Sequence, residues 1–295
     1  MPQNPHVAFN PLPYYLTAHG WDSDAAPPLS EIYRQIKEAG FDAVHVEPPE
    51  DMPLSDYRRL LADCGLAPAP GYFQAPFTEP DRGDTVERAR RVAAEHAAMG
   101  LTRIFIADQF GPDIRLATPA VGAGADDARL QRLCENLAAA CEAMVAEGVT
   151  PCLHQHVGTW VETPAETAAV LDALSPSLLL FGPDTGHLSW AGADPADMIR
   201  RYLDRVGAVH LKDFRSAVAS DGVTAAADYL TTTGRHVWTE PGRGDVDFDA
   251  VLDVLAGFEG WYVVEVDIPD QPTPEETARV SSTWVRQRLG AGTLA

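Results

Sequence analysis

The 295-residue sequence contains few cysteines and no long apolar segment, and each shortage excludes a class of protein. None of its four cysteines belongs to a Cys-x-x-Cys pair, so we expect buried thiols in a reducing cytoplasm. The longest apolar runs, such as Leu178–Phe181, have the length of a strand and fall far short of the ~20 residues that span a bilayer. Because no basic region followed by an apolar stretch stands at the start, we predict no signal peptide.

Basic residues are also scarce, since 22 lysines and arginines stand against 43 acidic residues and give a net charge of −21. Proteins that bind nucleic acids or anionic membranes usually carry a basic surface, so the composition argues against both kinds of partner. The densest basic group, residues 88–91, is interpreted as the solvated face of a helix. No Gly-x-Gly-x-x-Gly or P-loop motif follows a predicted strand, which argues against a nucleotide-binding sheet.

Strand-like and helix-like segments alternate along the whole chain, and this alternation is typical of a parallel sheet. Hydrophobic residues make up 45% of the sequence, which is enough for a large core. Eight strand–helix units favour an α/β fold with a single (β/α)8 TIM barrel domain, residues 1–295, over an open sheet. A long insertion after the seventh strand, residues 213–240, is predicted to form part of a lid. The strands are predicted at 7–10, 41–47, 66–73, 102–107, 150–156, 178–183, 206–211 and 261–266.

Polar residues stand at or just beyond the carboxyl ends of most of these strands, where barrels of this type place their active sites. Imidazoles and carboxylates that converge on one mouth suit a divalent metal ion with open positions for water and substrate. A capping or loop role would explain any single one of these polar residues. It does not readily explain a polar residue at the end of each of four consecutive strands. The residues are His45, Glu47, Asp108, Gln109, His154, Gln155, His156, Asp184, His187, His210, Lys212, Asp213, Glu265 and Asp267.

Four short stretches form a recognisable set: Leu153–Thr159 (LHQHVGT), Pro183–Leu188 (PDTGHL), Val209–Asp213 (VHLKD) and Val263–Val266 (VVEV). Together they resemble the xylose isomerase-like TIM barrels, a superfamily of sugar phosphate isomerases and epimerases that is also called the AP endonuclease 2 family. Within it the chain is most similar to the inosose dehydratases, which have a segment similar to Pro241–Phe248. The resemblance covers nearly the whole chain and is densest from residue 150 onward.

The resemblance implies one divalent cation, Mn²⁺ or else Co²⁺, Mg²⁺ or Zn²⁺, held by side chains at four strand ends. The ligands carried over are Asp184, His210 and Glu265, with His154 where the superfamily usually has a glutamate. The inosose dehydratases share this departure. Because side chains two residues apart on a strand point the same way, His156 is the alternative first ligand.

Further roles follow from the resemblance and from position at the mouth of the barrel. The candidate acid–base groups are Glu265, His187 and Lys212. The candidate substrate-binding residues are His156, Glu47, Gln109, Arg243 and Glu240. Aromatic residues that could wall a sugar pocket, or belong to the core, are Trp21, Tyr72, Phe73 and Trp160.

These features predict a metal-dependent lyase that acts on a keto-cyclitol or keto-sugar by enolisation and β-elimination of water. A sugar epimerase or isomerase is the first alternative, and a 3-keto-glycoside (C-glycoside) deglycosidase is another. The acidic charge argues against a DNA-repair enzyme on the same fold, and four candidate ligands argue against a non-catalytic sugar-binding barrel. We expect a cytoplasmic enzyme with a small polyol or keto-sugar substrate, in the form of a homodimer.

Overall fold

The computed structural model describes residues 6–18, 20–80 and 83–290 and contains the predicted barrel of eight parallel strands. The strands are rich in buried apolar residues, as expected where both faces of a parallel sheet are covered. In chain order the strands are His6–Phe9, Ala43–His45, a third strand in two pieces (Ala67–Ala69 and Tyr72–Ala75), Arg103–Asp108, Thr150–Leu153, Leu180–Phe181, Ala208–Leu211 and Trp261–Val264.

Two hydrogen-bonded parallel sheets together close the ring. The seventh, eighth, first and second strands and the first piece of the third make one sheet, and the second piece of the third makes the other with the fourth, fifth and sixth. Isolated bridges from Phe181 to Val206 and from Asp184 to His210 join the sixth strand to the seventh. All carboxyl ends therefore meet at one face, where the polar strand ends were predicted to converge.

The third strand, predicted as one segment at 66–73, is broken between Ala69 and Tyr72. Pro70 has no N–H to donate to a neighbouring strand, and the hydrogen bonding of the chain changes there from one neighbouring strand to the other. Gly71 makes the close approach possible, since a Cβ atom at this position would lie 2.2 Å from the carbonyl oxygen of Val46. The first piece pairs only with the second strand and the second piece only with the fourth.

Helices cover the outside of the barrel. Thr163 and Glu166 form a capping box at the start of the helix Pro164–Ala173. Within the described ranges, no helix combines the length and the apolar character needed to cross a membrane. The helices are Leu29–Ala39, Leu54–Asp63, Thr85–Ala98, Asp113–Ala117, Asp127–Ala146, Pro164–Ala173, Thr185–Trp190, Pro195–Arg201, Ser216–Thr224, Tyr229–Thr233, Phe248–Val254 and Pro274–Leu289.

The insertion at 213–240 forms a cover at the carboxyl face, as predicted. Its ends pair with each other as a two-stranded antiparallel ribbon, Asp213–Phe214 with Trp238–Thr239, and two of the helices lie between them. The side chain of Arg215 forms an ion pair with Asp270 in the loop after the eighth strand. Tyr229 stacks on Trp190 with 5.3 Å between ring centroids, so the insertion is packed against the barrel mouth.

A buried ion-pair network anchors a second loop at the same face, between the fourth strand and the helix Asp127–Ala146. The guanidinium of Arg115 is 2.8 Å from Glu162 and 2.6 Å from Glu166, and all three side chains are largely buried. Glu162 also accepts the backbone N–H groups of Gly158, at 2.9 Å, and Gly122, at 2.9 Å. The loop is thereby fixed to the turn that follows the fifth strand.

Candidate metal centre and cavity

Four side chains from four consecutive strand ends meet at the centre of the carboxyl face. They are His154, Asp184, His210 and Glu265, the set predicted from the sequence, and one ligand atom from each lies within 4.8 Å of the others. Their closest separations are 3.1 Å from His154 Nε2 to His210 Nδ1, and 3.3 Å from His210 Nδ1 to Glu265 Oε2. Asp184 Oδ2 is 3.5 Å from His154 Nε2 and 3.7 Å from His210 Nδ1.

This spacing fits a single cation. Nitrogen and oxygen ligands about 2.1 Å from one ion lie about 3.0–3.5 Å from each other, close to the separations observed here. Two imidazole nitrogens and two carboxylates are also ligands that transition-metal ions accept. The four residues could therefore hold one divalent metal ion, with no other protein group needed.

The hydrogen bonds of Asp184 support the same conclusion. Its Oδ1 accepts the backbone N–H of His187 at 2.8 Å and caps the helix Thr185–Trp190. Its Oδ2 is fully buried, yet among the described residues no hydrogen bond reaches it. A buried carboxylate oxygen without a partner is costly, and a metal ion is a partner that the cluster geometry accommodates.

Neighbouring side chains hold the cluster in place. Asn10, at the end of the first strand, donates to Glu265 Oε2 at 2.5 Å. Gln155 donates to the carbonyl oxygen of Asp184 at 2.8 Å and fixes the sixth strand end against the fifth. Burial raises the pKa of a carboxylate, but the positive charges of Lys212 and His210 outweigh it and hold the pKa of Glu265 well below its usual range.

Lys212 is a fully buried cation between two carboxylates. Its Nζ donates to Glu265 Oε1 at 2.9 Å and to Asp267 Oδ1, and lies 3.2 Å from His187 Nε2. Burial would lower the pKa of this ammonium, yet Asp267 and Glu265 raise it well above the ordinary value. Lys212 therefore stays protonated and orients a residue of the cluster.

A cavity of about 940 Å³ opens above the cluster. His154 and Glu265 form part of its floor, and Trp21, Tyr72 and Phe73 line it, as the sequence suggested. The insertion contributes Tyr229, Leu230 and Thr233 to its walls. Trp160, also predicted as a wall, instead packs against the guanidinium groups of Arg115 and Arg129, at 4.9 and 3.9 Å from its ring centroid.

His156 lies outside the ligand cluster but on the wall of the cavity, which separates the two histidines of the fifth strand. Its Nδ1 is 2.7 Å from the carbonyl oxygen of Val157 and is the donor in that contact, so Nε2 carries the free lone pair. Burial, together with the charges of Lys212 and His154, lowers the pKa of His156 to about 3. The ring is therefore neutral.

Two carboxylates also reach the cavity. Glu47, at the end of the second strand, is exposed to the cavity, and the surrounding protein atoms raise the pKa of its carboxyl group. Asp267 lies on the same cavity wall as Glu265, and burial raises its pKa to about 6 against the opposing effect of Lys212. From the sequence, Asp267 was predicted to lie at the end of the eighth strand but was not assigned a role in the site. Asn10 was not predicted as a site residue.

Other predicted residues lie elsewhere. His187 and Lys212 are fully buried behind the cavity wall, where His187 packs 3.8 Å from the ring of His156. Gln109 and Arg243 are exposed, and neither is among the residues that line the cavity. Glu240 is buried but turned away, since it accepts hydrogen bonds from Thr277 at 2.8 Å and from Gln271.

Comparisons with known proteins are consistent with this fold. The family model described as "Xylose isomerase-like TIM barrel" matches residues 33–288. An inosose dehydratase from Geobacillus thermodenitrificans is 27% identical over 284 residues, which cover 92% of this chain and 95% of that protein.

Solved structures share the fold at low sequence identity. An L-ribulose 3-epimerase superimposes with a TM-score of 0.71 at 18% identity, covering 97% of this chain and 95% of the other. A xylose isomerase-like TIM barrel protein from Mycobacterium smegmatis in complex with magnesium gives a TM-score of 0.69 at 17% identity, covering 97% of each chain.

Proposed function

Because the chain belongs to the xylose isomerase-like TIM barrel family of enzymes, we propose that it is a metal-dependent lyase for a keto-cyclitol or keto-sugar. The reaction is removal of a proton beside a carbonyl, followed by β-elimination of water, as the name of the inosose dehydratase relative suggests. One observation carries this proposal: two residues of a buried four-ligand cluster, His154 and Glu265, form part of the floor of a cavity whose walls present acid–base groups.

His154, Asp184, His210 and Glu265 would hold the ion, with Mn²⁺ as our first choice. When bound, the cation supplies a Lewis acid that polarises the carbonyl group of the substrate. The family includes a magnesium complex, so metal identity is part of the proposal that needs a direct test.

His156 is our candidate for the base, in place of the buried His187. Its neutral ring and free Nε2 lone pair face the cavity, which is what proton removal from carbon requires. The electron pair of the broken C–H bond forms the new C=C bond, and the adjacent C–O bond breaks. Glu47, which lines the cavity, donates in its protonated form the proton that lets the hydroxyl group leave as water.

Lys212 and Asp267 orient other groups of the site and do not themselves react with the substrate. The ammonium group fixes Glu265 Oε1 and Asp267 Oδ1, so the cluster carboxylate keeps one orientation. The charge of Lys212 also stabilises negative charge that develops nearby in a site shielded from bulk water. Glu265, which we predicted as both ligand and catalytic residue, retains the ligand role.

An epimerase is the second candidate, and the arrangement of acid–base groups favours it. His156 follows the fifth strand and Glu47 the second, so the two groups reach the cavity from different sides of the barrel. Such a pair can remove a proton from one face of a carbon and return one to the other face. Isomerisation would instead return the proton to the neighbouring carbon.

The test is incubation of metal-loaded enzyme in D2O with a keto-inositol, with a ketose and with a 3-keto-glucoside, followed by mass spectrometry and ultraviolet absorbance. A lyase gives loss of water with an enone-type absorbance, and deuterium beside the carbonyl of recovered substrate or of the tautomerised product. Label without loss of water supports the epimerase or isomerase. Turnover with neither label nor water loss, and without a primary isotope effect on α-deuterated substrate, would refute proton removal.

A pair of histidine variants provides the control. His156→Gln keeps a polar side chain of similar length but removes the base, so we expect deuterium exchange to fall by at least about 100-fold. His236→Gln changes a histidine that is 43% exposed in the insertion, and exchange should match that of the wild type. Equal exchange in the two variants would exclude His156 as the base.

A further inference from the structure

Four histidines line the cavity, and three of them have a defined role or partner. His154 belongs to the ligand cluster, and His156 is our candidate for the base. Both ring nitrogens of His96 contact backbone groups, at 3.1 and 2.9 Å. His45, the fourth, has no part in the proposed function so far, although its position at the end of the second strand was predicted from the sequence.

The second strand directs the side chain of His45 into the barrel. Side chains two residues apart on a strand point the same way, and Ala43 packs inside the barrel in a cluster of small and apolar residues from seven of the eight strands. His45 lies one layer closer to the carboxyl face, where its ring centroid is 6.1 Å from that of His210. The residue is only 3% exposed and borders the cavity beside the metal ligands.

Neither ring nitrogen of His45 has a hydrogen-bond partner among the described residues. Protein atoms enclose Nδ1, whereas Nε2 is not enclosed and is therefore the nitrogen that is open to the cavity. A neutral imidazole carries one N–H group and one lone pair, and buried N–H groups without an acceptor are rarer than unpaired acceptors. The proton therefore belongs on Nε2, which directs an N–H donor into the cavity.

This donor needs a partner that the described protein groups do not supply. Burial lowers the pKa of His45 to about 3, so the ring stays neutral. If His45 only filled space at the barrel mouth, an apolar side chain would do so without the cost of burying polar atoms. An oxygen atom of a bound ligand is the acceptor that its position beside the cluster favours.

We propose that His45 is a further catalytic residue that donates its Nε2–H to the carbonyl oxygen of the substrate. Removal of the proton beside the carbonyl group builds negative charge on this oxygen, and a donor that is already in place stabilises that charge. His45 keeps its proton throughout, so the transfer of protons is left to His156 and Glu47. This inference rests on the proposed function, since that function places the carbonyl group at the ligand cluster.

The test compares His45→Gln with His45→Phe in metal-loaded protein. The amide of glutamine can present an N–H near the position of Nε2, whereas phenylalanine fills similar space without a donor. With the keto-inositol, the ketose and the 3-keto-glucoside in D2O, His45→Phe should lower the rate of deuterium exchange by at least about 100-fold and His45→Gln by less than about tenfold. Equal loss in both variants, or exchange at the wild-type rate in His45→Phe, would overturn the donor role.

A matched change at the other end of the barrel is the control. His6→Phe alters a histidine at the start of the first strand, where its ring centroid is 5.0 Å from that of Trp261, and exchange should equal that of the wild type. Circular dichroism and metal content show whether each variant is folded and loaded. If His45→Phe does not fold, His45→Leu takes its place, since leucine also lacks a donor.

Calorimetry with the same three compounds separates this inference from the proposed function. The donor should also contribute to binding, so affinity should fall about two- to tenfold in His45→Phe and recover in His45→Gln. Exchange in the wild type that persists in His45→Phe keeps the proposed function and refutes the donor. No exchange in any sample refutes enolisation, and the affinities then decide the contact: a loss that glutamine restores supports it, and equal affinities or no binding overturn it.

Discussion

Replacement of Asp184 by asparagine separates the metal site from the fold. Asparagine retains an oxygen that can accept the N–H of His187, so the cap of the helix Thr185–Trp190 survives. The change replaces the unpartnered Oδ2 with an amide NH2 that faces His154 Nε2 and His210 Nδ1. The hydrogen bond between these two nitrogens requires one of them to carry a proton, so the amide NH2 meets at most one acceptor, and the stability of the metal-free variant has to be measured beside that of the metal-free wild type.

The metal-dependent part of the stability should be nearly lost. A ligand present at 100 times its dissociation constant stabilises a protein by about 2.7 kcal/mol. If loss of one anionic ligand weakens binding by about 100-fold, the same metal concentration stabilises the variant by only about 0.4 kcal/mol. The difference of about 2.3 kcal/mol corresponds to roughly 5 °C in the melting temperature of a chain of this size.

The assay is thermal unfolding of metal-depleted wild type and Asp184→Asn, each with EDTA and with a series of MnCl2 concentrations. Asp197→Asn, at a position that is 71% exposed, controls for the change in net charge. Elemental analysis of dialysed samples gives the metal content directly. If the variant shows the metal-induced shift and metal content of the wild type, Asp184 is not a ligand and the cluster has been misassigned.

Three further predictions follow from contacts described above. His154→Ala should lose metal affinity by at least about 100-fold, whereas His156→Ala should retain metal and lose turnover; elemental analysis and activity decide, and the opposite pattern would make His156 the ligand. Asp267→Asn should lower kcat by about 10- to 100-fold with little change in metal content, because it removes a negative charge that holds Lys212. Unchanged kinetics would show that Asp267 has no role in the reaction. Arg115→Met should lower the free energy of unfolding by about 3–5 kcal/mol, because it leaves Glu162 buried without its cation; a loss below 1 kcal/mol in denaturant titration would contradict this.

The fold was predictable because its signals are local and repeat eight times. Each strand is a short apolar run, and helix starts carry local capping residues, such as Thr163 and Glu166 before the helix Pro164–Ala173. The cluster of His154, Asp184, His210 and Glu265 was accessible for the same reason: parallel strands bring their carboxyl ends to one face.

Residues beyond the strand ends were harder to place, because strand alternation no longer fixes their direction. Alternation predicted that the side chains of His154 and His156 point the same way. The fifth strand ends at Leu153, so that rule does not apply to these residues and the two side chains differ in direction. Glu240 and Arg243 lie in a loop whose path depends on contacts far along the chain, such as that of Glu240 with Thr277, and Gln109 is exposed just after the fourth strand. Only tertiary packing shows that Lys212 is enclosed between acids and that Asp267 reaches the cavity.

The carboxylate of Asp213 has a consequence for how the insertion can diverge. It accepts N–H groups of the glycine-rich turn at Gly242 and Gly244, both at 2.8 Å, and at Val246, at 3.0 Å. Together with the ribbon pairing and the Arg215–Asp270 ion pair, these contacts hold the base of the insertion, so residues 217–236 contribute less to keeping the loop ends together. That division makes the cover an exchangeable module: natural drift or loop grafting can alter substrate range there, while the metal ligands and their supports stay the same.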